Sequence, residues 1–224
     1  MDSGLAGLFL AAFVTGLSGA ASPGPLLTWN CAAAARYGAW TGPRMVLGHA
    51  AVELPLVIAL ALGLAPFVRQ PFLLGVLALV GAVVLVWLAW QTFRALPSLP
   101  DPLVLRASGQ AGGGRWRDAF SAGALLSLGN PFWTLWWATV GAGLLTQALV
   151  AGALGLAVFF SGHILADFGW YGLVSLAMAR GVRYLSRRTY QLLMAGLGLA
   201  MALLALWFLV SGIERLLSLA AGAG

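Results

Sequence analysis

Gly48-His49-Ala50-Ala51-Val52-Glu53 and Gly162-His163-Ile164-Leu165-Ala166-Asp167 repeat one pattern, G-H-x-x-x-acid, and each lies inside a long apolar run. On a helix, positions i and i+4 share a face, so each imidazole can touch its own carboxylate. Ionisable groups in an apolar, membrane-length segment are costly, which makes them functional candidates by default. Two such pairs, one in each half of the chain, suggest a duplicated half-site.

The rest of the composition agrees with a membrane setting. The chain has 224 residues, 61% hydrophobic and only 8% charged, with a mean hydropathy of +0.94. Soluble domains carry about 25% charged residues, so the sequence reads as an all-α integral membrane protein. All twelve basic residues are arginine, and the net charge is +6. The arginines cluster between apolar segments, which the positive-inside rule explains without any nucleic-acid partner. Cys31, the single cysteine, reads as a small packing residue. Leu5 to Leu17 is apolar, but no basic residue precedes it, so it reads as a retained first transmembrane helix and not a signal peptide.

Six apolar segments have the length a helix needs to cross a bilayer, roughly 5–35, 45–66, 72–93, 119–146, 149–178 and 190–213. The first is too long for one straight span and contains Ser22-Pro23-Gly24-Pro25, which should break it. Arg36, Arg44, Arg94, Arg106, Arg115, Arg117, Arg180, Arg183, Arg187 and Arg188 flank or fill the first, third and fifth connections. Arg69 and Arg215 lie on the other side, so both termini are expected to be extracytoplasmic.

Residues 95–118, with Pro97, Pro100, Pro102 and Gly112-Gly113-Gly114, have linker composition and divide the chain. They separate a three-helix repeat at 1–94 from another at 119–216, leaving a tail at 217–224. Each half has a proline break in its first segment, at Pro23 and Pro25 and then at Asn130-Pro131. The third segments also match, Leu73-Leu74 through Trp87 with Leu192-Leu193 through Trp207. Because three is odd, the second half enters the membrane upside down, which gives two inverted three-helix repeats.

Glu53 follows Arg44 by nine residues and Asp167 precedes Arg180 by thirteen, so both acids lie well inside the bilayer. His49, Glu53, His163 and Asp167 can bind a cationic solute or carry protons; the bland alternative is an interhelical hydrogen bond that holds the bundle together. Helix restarts after Pro25 and after Pro131 present free N–H groups that could receive a carboxylate. Pro23, Gly24, Pro25, Asn130 and Pro131 are therefore candidate binding positions, with Asn30 as a further amide. Trp133, Trp136 and Trp137 follow the second break at helical spacing. They could hold an amine by cation–π attraction, but packing is the expected role. Gly75, Gly81, Gly141, Gly196 and Gly198 are expected to let helices approach closely.

At these residues the chain resembles the LysE/RhtB family of exporters. The resemblance rests on Ser22-Pro23-Gly24-Pro25, Arg36-Tyr37-Gly38, Gly42, Asn130-Pro131 and the order of the six segments, and covers nearly the whole chain. It implies a plasma-membrane carrier that expels amino acids or related metabolites, driven by the membrane potential or a proton gradient. It departs at Phe132, where family members commonly carry lysine.

The leading expectation is a secondary exporter of a small-molecule substrate, with alternating access around a midplane site. It needs no cofactor, and the lipid bilayer is its other partner; the sequence leaves room for a homo-oligomer. The alternative is a divalent-metal carrier in which the two histidines and two acids supply an N2O2 ligand set. Without a P-loop, a Ser/His/Asp arrangement or a CxxC motif, an enzyme is not expected.

Overall fold

The computed structural model describes residues 2–22, 24–64, 70–99, 116–181 and 184–222. Pro23, Arg69, Arg106, Arg115, Arg183, Pro100, Pro102 and the triple glycine lie outside the described residues. No strand occurs among those described. Helix α1 (Asp2–Ala20) ends before the Pro-Gly-Pro break, and α2 (Pro25–Tyr37) begins on its second proline. Proline at the first helical position gives up an N–H that has no helical partner there anyway. The two axes differ by 75°.

Helix α3 (Thr41–Ala59) contains Pro55 and loosens into a π-turn, Leu60–Leu64. Next come α4 (Pro71–Ala95), α5 (Trp116–Leu128), the short α6 (Pro131–Trp136), a π-turn (Trp137–Gly141) and α7 (Ala142–Val150). Helices α8 (Gly152–Gly181) and α9 (Arg187–Gly222) complete the fold.

Four helical stretches are long and apolar enough to cross a membrane: Thr41–Gly63, Pro71–Ser98, Gly152–Gly181 and Arg187–Ala221. The bent α1–α2 pair makes a fifth if it counts as one span. The fourth expected segment contains no helix of that length, because it is cut at Asn130-Pro131 and again at the π-turn. The last helix does not stop near 213; it runs through most of the expected tail, since no breaker intervenes before Gly222.

Packing between the halves follows an exchange pattern. Helix α1 packs chiefly on α8, α3 on α5, and α4 on α9. The glycines of the two repeated stretches sit in two of these seams. A Cβ on Gly48 would run into the Phe120 carbonyl of α5, and one on Gly162 into the Phe9 carbonyl of α1. Backbone-to-backbone approach of this kind is how membrane helices use small residues. The glycine list read from sequence was thus partly misplaced. Gly75 and Gly198 do meet neighbouring side chains, whereas Gly196 faces open space.

The outer faces of α4 and α9 are apolar and exposed, with Val83, Trp87, Leu203 and Trp207 among the outward residues. Such a face suits lipid.

One buried polar network ties three helices together. Ser175 on α8 donates to Asn30 Oδ1 at 2.7 Å and accepts from the Gly42 N–H at 2.8 Å, while Asn30 Nδ2 donates to the Tyr171 carbonyl at 3.2 Å. Asn30 is therefore a structural amide within this network. Ser175→Ala strands the Gly42 N–H and Asn30 Oδ1, at a cost of about 1–3 kcal/mol. The expected result is a lower melting temperature of the detergent-purified protein. An unchanged one would mean the hydroxyl carries no net stability.

Candidate functional site

Helical period alone puts His49 above Glu53 on α3 and His163 above Asp167 on α8. The exchange packing then turns the two faces toward each other. His49 Nε2 is 3.1 Å from Glu53 Oε1 and 3.5 Å from Asp167 Oδ2. His163 Nε2 is 3.2 Å from the same Glu53 oxygen and 3.7 Å from Asp167 Oδ2. All four side chains are buried, and Glu53 is wholly inaccessible. One ligand-type atom from each lies within 4.8 Å of all the others, so the set could also hold a metal ion.

Four residues that sequence reasoning treated as packing, or passed over, complete the site. Trp133 and Trp137 donate their indole N–H groups to Glu53 Oε1 at 3.0 and 2.9 Å. The packing expectation for these two tryptophans is corrected: their rings do pack, but both N–H groups serve the buried acid. The π-turn that begins at Trp137 shifts the helical register there. Ser127, one turn before the Asn130-Pro131 break, lies 2.6 Å from His49 Nδ1 and donates to the Gly123 carbonyl. A lone serine in an apolar run was the only signal for it. Trp136 lies against His163, ring centres 4.7 Å apart.

Polar atoms remain unmatched at the centre. Glu53 Oε2 and Asp167 Oδ2 are buried there without a hydrogen-bond partner, the second beyond hydrogen-bond distance of the two histidines, while His163 Nδ1, also without one, faces the backbone at Gly16. Buried polar groups are normally satisfied, so the two acid oxygens mark a place where a water, an ion or a cargo group can bind. The cavity they adjoin holds about 50 Å³. A water takes roughly 10–15 Å³ on this measure, so the space suits a few waters, an ion or a small head group.

The broken-helix residues divide between two places. Asn130 lines this cavity and caps α6, its side-chain oxygen accepting the Phe132 N–H at 3.1 Å. Gly24 lies beside it: a Cβ built there would stand 3.9 Å from Asn130 Nδ2, so the two breaks adjoin. Pro25 lines a different cavity, of about 290 Å³, with Trp29, Leu88, Met194 and Met201. Pro131 opens α6, and Pro23 lies outside the described residues. Phe132 also lines the His/acid cavity.

Trp137→Phe keeps an aromatic ring, although a smaller one, and removes one N–H from the carboxylate. Hydrogen bonds to charged groups contribute about 1.5–3 kcal/mol, which corresponds to roughly a ten- to hundredfold effect. Transport is expected to fall on that scale with the folded yield unchanged. Wild-type transport rates would remove Trp137 from the site.

The sequence pattern of the LysE type translocators matches residues 17–212, nearly the whole chain. The chain belongs to that family. Its members are transmembrane transporters, and this LysE-family chain is a multi-pass membrane protein. It is 25% identical over 211 residues to the "Putative amino acid efflux protein YcgF" of Bacillus subtilis (strain 168), covering 94% of this chain and 99% of the relative. It is 32% identical over 133 residues to the "Chemotactic transduction protein ChpE" of Pseudomonas aeruginosa, covering 58% of this chain and 51% of that protein. No solved structure matches the chain.

Proposed function

We propose that this LysE-family protein is a secondary-active exporter of small solutes, amino acids or related metabolites first, and that His49, Glu53, His163 and Asp167 form its exchange site. The observation that carries the reading is the meeting of one His/acid pair from each half beside carboxylate oxygens without a hydrogen-bond partner. Glu53 and Asp167 hold the cargo's positive end or a proton, and the histidines tune them. Gly24 and Asn130 bring the two helix breaks together beside the site, and Pro23, Pro25 and Pro131 are further candidate positions on those breaks.

The exchange packing of α1 on α8 and α3 on α5 supports two inverted three-helix repeats, residues 1–94 and 119–216, rocking about this site. With six passes, the protein sits in the plasma membrane with both termini extracytoplasmic. Amino acid efflux is what the name of the Bacillus relative states, and it sets the first cargo to try. A screen of purified protein in proteoliposomes, measuring exchange of labelled amino acids, tests this reading. Saturable exchange is expected for at least one of them, and its absence across the set overturns amino acids as cargo.

A second reading has its own observation: two nitrogens and two oxygens within 4.8 Å suit a divalent transition-metal ion as cargo. Metal analysis separates the two. Stoichiometric metal on the wild type that is lost in His163→Ala favours the metal; metal-free protein that still exchanges amino acids removes it.

A further inference from the structure

We infer that the site selects its cargo by a primary ammonium group and does not require a carboxylate, so that simple organic amines are cargo. This rests on the reading of the His/acid cluster as the cargo site, and narrows the class of solute.

The charge inventory carries the inference. Two carboxylates, Glu53 and Asp167, face the cavity together with the imidazoles of His49 and His163 that contact them, and no lysine or arginine stands among the described residues around it. Beside the second break, where a cation could have met a carboxylate, the side chain is the apolar ring of Phe132. Asp167 is 4% exposed and Glu53 0%, and each keeps an oxygen without a hydrogen-bond partner. A carboxylate can only accept, so these oxygens call for a donor. An ammonium group brings three N–H donors and a positive charge, and charge-assisted bonds of that kind are the strong ones. Trp133 and Trp136 complete the wall with aromatic surface that attracts cations.

A carboxylate entering the same space would meet Glu53 and Asp167 as like charges. At 4 Å and an effective dielectric of about 20, one such pair repels by about 4 kcal/mol before any charge on His49 and His163 is counted. The helix ends offer little to offset that. Asn130 already occupies the Phe132 N–H, and prolines at the first position of α2 and α6 have no N–H to give. The cavity of about 50 Å³ has room for an ammonium head group between the two acids.

The test uses the full-length protein in proteoliposomes and matched triplets: an amino acid, its decarboxylated amine and its N-acetyl derivative. The amines are expected to exchange as fast as the parent amino acids or faster, and the N-acetyl compounds at least about tenfold more slowly. Asp167→Asn, checked for folding by size exclusion, is expected to lose amine exchange by a similar factor. Exchange of amino acids without exchange of their amines overturns the inference and leaves the exporter reading intact. Equal exchange of the N-acetyl compounds also overturns it. Failure of all three classes removes the exporter reading for organic solutes, and the inference with it.

Discussion

Glu53→Gln abolishes solute exchange while leaving a folded, membrane-inserted protein. Glu53 Oε1 has four nitrogen neighbours within 3.2 Å, the indoles of Trp133 and Trp137 and both histidine Nε2 atoms. Glutamine has the same shape and keeps one acceptor oxygen for the indoles, so the local packing survives. The full negative charge does not. Against a cargo cation at about 4 Å, that charge is worth about 4 kcal/mol at an effective dielectric of about 20, or nearly a thousandfold in binding.

Stability is expected to fall as well, because both histidines and both indoles lose the carboxylate they face, and breaking a buried ion pair by removing one partner is destabilising. The measurement is exchange rate per inserted protein, alongside the melting temperature of the purified variant. Asp167→Asn is expected to lower exchange by at least about tenfold. Wild-type exchange by the doubly neutralised protein would remove both acids from the mechanism.

Gly48→Leu is expected to prevent folding. The seam between α3 and α5 is held by reciprocal contacts: a Cβ at Gly48 meets the Phe120 carbonyl, and one at Gly123 meets the Met45 carbonyl. Backbone cannot swing aside as a side-chain tip can, so the helices must separate along the seam. Overpacking costs about 1–3 kcal/mol in ordinary cores and more where the neighbour is fixed. The same separation would draw His49 away from Ser127 and Glu53 away from its indoles. Gly196→Leu is the control, since nothing lies within 4 Å of a Cβ there. The Gly48 variant should give no monodisperse peak in size exclusion, and the Gly196 variant a normal one. A well-folded Gly48→Leu protein would show that the seam is not what positions the site.

The distinction between these two glycines shows where reading the sequence ran out. Gly48 and Gly196 look alike in an apolar run, and only the neighbouring helix decides which one is a contact. The tryptophans make the same point. Spacing put Trp133 and Trp137 on one face, but a stripe of indoles next to lipid and one turned onto a buried acid have the same period. Ser127 gave almost no signal, because its role depends on a histidine 78 positions away in the chain.

Sequence alone determined what is local. Apolar runs of bilayer length, the interruptions at Pro25 and Pro131, and the shared face of each His/acid pair follow from hydropathy, missing N–H groups and a period of 3.6 residues. Tertiary structure decided which faces meet. The rotation of α3 against α8 brings Glu53 onto His163 and His49 onto Asp167, and it is fixed by helix seams whose partners are distant in sequence. Hydropathy is nearly uniform around these helices, so only contact at the small residues selects one rotation from the rest.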